Sequence, residues 1–461
     1  MTLIDAFGSD VSLSDAKSLH HWNQLMMAFL AHSSKTAGHL AALLETSPDF
    51  SLAYTFQGIS YLSLGRRELI ANAQTAFENA QASVRRVGCN GREALYLKAL
   101  GEWIAGYPRA SADIMDTILE SHPQDAMAVK LSHGIRFILG DAAGMRTSVE
   151  AVLDTYTDDH PATGYVLGCH AFSAEETGSF SLAEKQGRRG LELAEDDAWG
   201  LHAVAHVYDM TAQVDVGEEW LSSRTYQWAH CNNFGYHVWW HLALFHLAQG
   251  RTDKALELYD TKFRAVLTDD YRDISNATSM LVRLELEGVI VGNRWDELAD
   301  LSEKRVQDGC VVFADLHYML PLARTGRRQA VSTLIQTLET EANAGTCDME
   351  LVAKAAGVST AHGLRAYYEA DFAGAYQKLM RARAAMQSIG GSHAQRDVFE
   401  RLTIDTAIRA NLFNEAKYLL SDRAHRRGAI DRFGKDRSAI LSRSFANNAN
   451  SISPKIVALP A

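Results

Sequence analysis

Apolar positions recur every three to four residues from about Ser14 onward, a spacing that is typical of amphipathic helices. The strict alternation of apolar and polar residues that marks a half-buried strand does not occur. Turn signals fall roughly every 15 to 20 residues, which suits pairs of antiparallel helices. The pattern predicts an all-α protein.

Five segments of the chain share one layout, in which a Pro, Asp or Asn cap region precedes about four turns of amphipathic helix. They are residues 47–65, 122–140, 160–178, 197–215 and 232–250. Four of the five end on glycine, and the last four end 38, 37 and 35 residues apart. A helix pair cannot bury its apolar face alone, so units of this length are predicted to stack into a superhelix.

Several features resemble a tetratricopeptide-repeat (TPR) pattern, including Gly-x-x-Tyr at Gly58 and Tyr61 and small residues at the tight helix contacts. More specific segments are AWGLHAVAHVYDM, YHVWWHLALFHLAQG, DISNATSMLVRLELEGVIVGNRW and FADLHYML. Together they resemble the tetratricopeptide-repeat protein 38 family over about residues 15 to 440. The resemblance implies an all-helical repeat fold in a soluble protein and brings no biochemical activity with it.

We predict a single repeat superhelix over residues 1–440, with an N-terminal cap over about residues 1–45 and an irregular tail over residues 441–461. The 56 acidic and 45 basic residues give a net charge of −11, which argues against nucleic-acid binding. The five scattered cysteines favour reduced thiols in a cytoplasmic protein. Neither a secretory signal nor a membrane span is expected, and the oligomeric state stays open.

Two His-x-x-x-His pairs, His202/His206 and His237/His241, lie 35 residues apart. Residues at positions i and i+4 of a helix share one face, so each pair presents two imidazoles in one direction. If 35 residues is also the length of a repeat, the two pairs lie side by side on neighbouring helices. We therefore expect a shared concave surface that carries paired imidazoles.

Other polar and aromatic side chains of the same and later units are expected on that concave surface. They are Glu176, Trp199, Asp209, Tyr236, Trp239 or Trp240, Asp315, His317, His393, Arg396 and Asp397. In the unit before the first pair the register is open by one residue, so either Cys169 and Glu176 or His170 and Ser173 take the equivalent positions. Only closure of the superhelix brings the later residues into the same cavity.

Four uses of the histidines compete. The leading hypothesis is a cavity that binds a small polar ligand or a short peptide. The second is an enzyme in which one of the four imidazoles is the general base and Asp209 or Glu176 orients it. A protein–protein scaffold with an open groove is the third, and polar packing between repeats without any ligand is the fourth.

No cofactor is expected and no residue is assigned to a metal, although two half-sites could together supply four nitrogens to Zn²⁺ or another divalent ion. Helix axes lie about 8–10 Å apart, so the pairs meet only where their side chains lean toward each other. Ala203 also stands where a His-Glu-x-x-His protease carries its glutamate. Phosphate-binding loops, dinucleotide fingerprints and nucleophile elbows are missing from the sequence.

Overall fold

A computed structural model describes residues 3–452, with side chains over residues 3–444. Apart from a short antiparallel pair, β1 (Leu3–Ile4) and β2 (Asp10–Val11), the regular structure of this part is helical. The prediction of an all-α, TPR-like superhelix is confirmed. The strand pair in the N-terminal cap was not predicted, because two residues per strand are too few to show alternation.

The helices follow one another in short antiparallel steps along the chain. The first twelve are α1 (Ala16–Leu30), α2 (Thr36–Thr46), α3 (Ser51–Leu62), α4 (Arg67–Val87), α5 (Gly91–Ile104), α6 (Pro108–Ser121), α7 (Ala126–Ile138), α8 (Ala142–Glu150), α9 (Thr163–Glu176), α10 (Phe180–Leu193), α11 (Ala198–Met210) and α12 (Val214–Ser222). The others are α13 (Phe234–Ala248), α14 (Thr252–Leu258), α15 (Tyr271–Leu286), α16 (Arg294–Glu303), α17 (Val312–Arg324), α18 (Arg328–Ala344), α19 (Asp348–Val352), α20 (Val358–Tyr368), α21 (Phe372–Arg383), α22 (His393–Arg409), α23 (Phe413–Arg427) and α24 (Arg432–Ile452).

Small residues let the helices of one unit approach closely. Gly190 of α10 packs on α9, and a Cβ at this position would lie 2.8 Å from the carbonyl oxygen of Gly164. Gly187 faces α11 in the same way, where an added Cβ would lie 2.5 Å from the side chain of Val204. α9 contacts α8, α10 and α11, and its whole length is buried.

In the last four of the five units, the turn that ends the first helix has a residue with positive φ two positions past the helix. Gly140, Gly178 and Gly250 occupy it with φ of 65°, 80° and 78°, and Ala212 occupies it with φ of 54°. The predicted end of that unit, Asp215, is wrong by three residues, because an alanine takes the left-handed conformation that usually belongs to glycine. The four turns are 38, 34 and 38 residues apart.

The two histidine pairs consequently do not occupy equivalent positions of their helices. His202 lies 10 residues before its turn residue and His237 lies 13 residues before its own. The three-residue offset is close to one helical turn, so both pairs still face the same way. The 35-residue spacing is therefore not the repeat length. It is the 38-residue distance between the two turns less a three-residue offset that keeps both pairs on the same face.

Segments far apart in the chain contact each other, so the superhelix curls back on itself. The amide of Ser34 donates to the carbonyl oxygen of His230 over 3.0 Å. Likewise, the Gln387 side-chain amide donates to the carbonyl oxygen of Gly140 over 3.2 Å. These contacts enclose the inner faces of α1, α7, α11, α13 and α15.

The C-terminal region differs from its prediction. α24 continues to Ile452, where an irregular tail was expected from residue 441, because buried Phe433 and Leu441 anchor this helix on its neighbours. Residues 453–461 of the predicted tail lie outside the described residues. Within residues 3–452, none of the helices combines the length and the apolar character that crossing a membrane requires.

Candidate functional site

The four predicted imidazoles meet between α11 and α13. Their Nε2 atoms form a chain in which His206 lies 2.8 Å from His202, His202 lies 3.1 Å from His237, and His237 lies 3.2 Å from His241. His202, His206 and His241 are almost wholly buried and His237 is half-buried. Each ring has one nitrogen atom that lies within 4.8 Å of a nitrogen atom of each of the other three rings.

In two of the rings, the other nitrogen, Nδ1, lies near an acceptor oxygen. The Nδ1 atom of His206 lies 3.4 Å from a carboxylate oxygen of Glu175, which is fully buried. The Nδ1 atom of His237 lies 3.2 Å from the side-chain oxygen of Asn276. Such partners hold the proton on Nδ1 and direct the lone pair of Nε2 inward.

Aromatic side chains cover three sides of the cluster. Phe172 of α9 stacks on His202 with ring centroids 5.6 Å apart and an interplanar angle of 16°. Trp240 stacks on His237 at 5.3 Å and 18°. Trp199 closes a third side, 5.2 Å from the ring of His202.

Burial sets the charge state of most of these rings. It lowers the pKa of His202 and of His241 well below the ordinary value, and neighbouring imidazoles add to the effect. Burial likewise lowers the pKa of His237 to about 3. His206 is the exception: burial lowers its pKa, but the carboxylates of Glu175, Glu176 and Asp209 together raise it above the ordinary value. The cluster thus pairs three neutral rings with one that favours a positive charge.

A cavity of about 200 Å³ adjoins the cluster, and His202 and His237 form part of its wall. Its other walls come from α1, α7, α15 and the start of α22. The lining includes Phe29, His32, Lys130, His133, Phe137, Trp199, Asn233, Phe234, Tyr271, Arg272, Asp273 and Gln395.

Two unpartnered donors point to this cavity from one face of α7. The Lys130 side chain is buried, and its Nζ atom has no hydrogen-bond partner in the described part of the chain, although it lies 5.1 Å from the ring centroid of Trp199. One turn further along, Nε2 of His133 accepts a hydrogen bond from Nε1 of Trp199 over 3.1 Å. The proton of His133 is therefore on Nδ1, which is also buried without a partner among residues 3–444.

The opposite wall carries an ion pair. Arg272 pairs with Asp270 over 2.5 Å at the start of α15. Asp273 accepts a hydrogen bond from the side chain of Asn233 over 2.7 Å. Burial, reinforced by the charge of Asp270, raises the pKa of Asp273 to about 7.

Three further predicted residues join α9 to α22. Glu176 accepts a hydrogen bond from the backbone amide of His393 over 2.6 Å and pairs with Arg396 over 2.9 Å. His393 and Arg396 also line a second cavity of about 510 Å³ between α21, α22 and α23. Glu176 thus lies near His206 but is occupied by this contact.

The two predicted aspartates near these contacts are held by arginines. Asp209 pairs with Arg427 over 3.1 Å, so it does not orient an imidazole. Asp397 accepts hydrogen bonds from Nε of Arg423 over 2.7 Å and Nε of Arg401 over 2.6 Å. Both carboxylates are engaged in ion pairs between helices.

Two predicted aromatic residues, Tyr236 and Trp239, lie apart from the imidazoles. Tyr236 packs, half-buried, on the large core cluster beyond α13. Trp239 contacts Trp228 and has its ring 4.9 Å from Nζ of Lys262, whereas Trp240 is the tryptophan that contacts the histidines. Successive helical residues point about 100° apart, so only one of the two tryptophans can face the site.

Asp315 and His317 of α17 are buried elsewhere in the core. Burial raises the pKa of Asp315 well above its ordinary value. Nδ1 of His317 donates to the backbone carbonyl oxygen of Phe313 over 2.7 Å, and its ring packs on Phe399. The structure does not bring these two side chains to the imidazole cluster.

Three residues of the site were not predicted from the sequence, namely Glu175, Lys130 and His133. The turn positions hold the signal for Glu175, since it lies three residues before Gly178 as Asp209 lies three residues before Ala212. Lys130 and His133 lie 72 and 73 residues before His202 and His206, and only the closed superhelix brings them near the imidazoles.

Comparison with known proteins adds little to this picture. No protein-family model matches the chain. The chain is similar to the human IFIT1 dimer with m7Gppp-AAAA, at 14% identity over 95% of this chain and 96% of that chain, with a TM-score of 0.41. It is also similar to yeast Tom70, at 12% identity over 94% of this chain and 89% of that chain, with a TM-score of 0.33. At these scores neither likeness carries a functional inference, and the absence of nucleic-acid binding stays a prediction.

Proposed function

We propose that this protein binds a small organic anion in the cavity beside the four imidazoles. The observation that carries the proposal is the buried ammonium of Lys130, which faces the cavity and lacks a hydrogen-bond partner among the described side chains. A buried charge without a partner is costly, and an anionic oxygen would remove that cost. The Nδ1–H of His133 supplies a second donor to the same group.

The other walls favour a flat apolar body on this ligand. His32 stacks on Phe234 with ring centroids 4.6 Å apart and on Trp199 at 5.6 Å, which makes one continuous aromatic surface. Phe29 and Phe137 line the same cavity. A cavity of about 200 Å³ suits a small molecule better than a peptide, because ligand pockets typically measure about 300–1,000 Å³.

We further propose that the chain belongs to the tetratricopeptide-repeat protein 38 family and that it is a cytoplasmic protein. Both statements rest on the segments that carry the resemblance and on the unpaired cysteines. Neither statement identifies a ligand, so the proposed class of ligand rests on the cavity alone.

The test compares phenylacetate, which is anionic and aromatic, with its neutral analogue phenylacetamide. In a thermal-shift assay we expect phenylacetate to raise the Tm of the wild-type protein and phenylacetamide to have little effect. Charge-assisted hydrogen bonds contribute about 1.5–3 kcal/mol, so calorimetry should show roughly 10- to 150-fold weaker binding of phenylacetate to Lys130→Met. Lys98→Met, which removes an exposed lysine, is the matched control.

Equal binding of phenylacetate and phenylacetamide would contradict an anion site. So would the failure of phenylacetate, benzoate and indole-3-acetate alike to raise the Tm. An unchanged affinity in Lys130→Met would exclude this cavity as the place where an anion binds.

A further inference from the structure

We infer that His202, His206, His237 and His241 form the binding site of one divalent transition-metal ion, with Zn²⁺ as the reference case. The proposal is independent of the organic anion, since it rests on the imidazoles and their own partners. All four donors come from two adjacent helices, α11 and α13.

The nitrogen positions are close to those that a tetrahedral ion needs. Zn–N bonds of about 2.0–2.1 Å imply nitrogens about 3.3 Å apart at the corners of the tetrahedron. The three Nε2 contacts measure 2.8, 3.1 and 3.2 Å, and all four ligand atoms lie within 4.8 Å of one another. Rotations of the rings would bring the more widely separated nitrogens, up to 4.8 Å apart, closer to this spacing.

Hydrogen bonds alone do not satisfy these contacts when protons are counted. With their protons on Nδ1, near Glu175 for His206 and Asn276 for His237, these two rings offer Nε2 as an acceptor. His241 can donate its one proton to His237. His202 would then have to donate a single proton to His206 at 2.8 Å and to His237 at 3.1 Å at once. A cation accepts all four lone pairs together.

Two of the donors have the outer partners that metal-bound histidines require. Such a ligand donates its other N–H to a carboxylate or carbonyl oxygen, which fixes its tautomer and orientation. Glu175 takes this place beside His206, and Asn276 takes it beside His237. The 3.4 Å contact with His206 is long, and the Glu175 oxygens have no closer hydrogen-bond partner within residues 3–444, so the carboxylate charge is available to offset that of an ion.

The donor set also selects the class of ion. Imidazole nitrogens suit Zn, Cu, Fe and Ni, whereas Ca²⁺ and Mg²⁺ require oxygen ligands. His202 and His237 line the cavity, so the ion would border the cavity contents.

The competing account is a doubly protonated His206 that pairs as a cation with Glu175 in a metal-free cluster. It explains the contact of His206 with Glu175 and its contact with His202. It predicts a protein that has no specific affinity for Zn²⁺, so metal binding distinguishes the two accounts.

The experiment uses the full chain without a histidine tag, stripped with a chelator and titrated with Zn²⁺. We expect one equivalent to bind tightly, and X-ray absorption of the Zn²⁺-loaded wild type should show four nitrogen ligands near 2.0 Å with imidazole outer shells. A first shell dominated by oxygen, a stoichiometry well below one, or an adventitious ion only would overturn the proposal. This measurement needs no variant and so does not depend on whether a mutant folds.

Variants then locate the site. His241→Gln removes one ligand and should weaken Zn²⁺ binding at least 100-fold, while Glu175→Gln removes an outer partner and should weaken it about 10- to 100-fold. His425→Gln, on the exposed face of α23, is the matched control and should bind as the wild type does. Equal affinity in all variants that keep the wild-type circular-dichroism spectrum would refute the assignment. Lys130→Met should keep Zn²⁺ binding, which separates this test from that of the anion site.

Discussion

Replacement of Asp397 by asparagine tests whether this carboxylate is structural. Asp397 bonds Arg423 and Arg401, and Arg423 also pairs with Asp431 over 2.8 Å, so α22 and α23 are tied to the start of α24. Arg423 is buried, with an exposed fraction of 3%. Loss of one partner from a buried ion pair costs about 3–5 kcal/mol because the other charge stays buried, and we expect a destabilisation of this size.

The corresponding change in Tm follows from the size of the cooperative unit. Unfolding entropy is about 2.1 cal/mol/K per residue, so a chain of 461 residues that unfolds as one unit has about 1 kcal/mol/K. The expected loss is then about 3–5 °C. If the last helices unfold on their own, the shift is larger and appears as a separate, earlier calorimetric transition.

The pH dependence of the effect has a definite sign. Burial alone would raise the pKa of Asp397 and of Asp431. Arg423 and the neighbouring arginines instead lower both below the ordinary value of a carboxyl. Their contribution to stability is therefore complete above about pH 4 and is lost as the pH falls further. The Tm difference between wild type and Asp397→Asn should shrink on acidification.

Differential scanning calorimetry at pH 7 and at pH 3 checks both expectations. Asp154→Asn, an exposed carboxylate, serves as the control and should change the Tm by less than 1 °C. A destabilisation of Asp397→Asn below about 1 kcal/mol at pH 7 would refute the structural role and return Asp397 to the ligand-binding candidates.

Four further substitutions test the fold. Burial raises the pKa of Asp197 to about 7, so the stability of the wild type falls as the pH rises from about 4 to 7. Asp197→Asn keeps the helix cap and should gain about 2–4 kcal/mol of stability at pH 8 but little at pH 4. Thermal melts at both pH values measure the difference. Gly140→Ala would place a Cβ 1.8 Å from the carbonyl oxygen of Gln387 and should cost over about 2 kcal/mol, whereas Gly178→Ala, which meets no described atom within 4 Å, should cost only about 1–2 kcal/mol in urea unfolding. Ala212→Gly should stabilise the same turn type by about 0.5–1 kcal/mol, and a loss of stability would contradict its left-handed conformation.

The fold class follows from local patterns that the sequence carries in full. Apolar spacing, cap residues and the turn glycines predict helices and their pairing, and the spacing within each His-x-x-x-His motif predicts paired imidazoles. The register of one unit escaped prediction because Ala212 takes a conformation that sequence signals assign to glycine. Local sequence patterns therefore predicted the helices, but they did not predict the turn at Ala212, where one repeat unit ends.

The environment of the imidazoles depends on contacts between distant units, which sequence spacing does not encode. Lys130 reaches the cavity only because the superhelix curls back on itself. Glu176 was expected beside an imidazole, but the geometry gives that place to Glu175 and turns Glu176 toward Arg396. A rotation of 100° between neighbouring residues decides which carboxylate meets the histidine.

The anion site is tested most directly by a crystal structure of the protein soaked with 4-bromophenylacetate, with data collected at the bromine absorption edge. The account predicts an anomalous bromine peak inside the cavity, among Phe137, Trp199 and Phe234, with the carboxylate within hydrogen-bond distance of Nζ of Lys130. Bromine peaks confined to the protein surface, or a carboxylate directed away from Lys130, would contradict it.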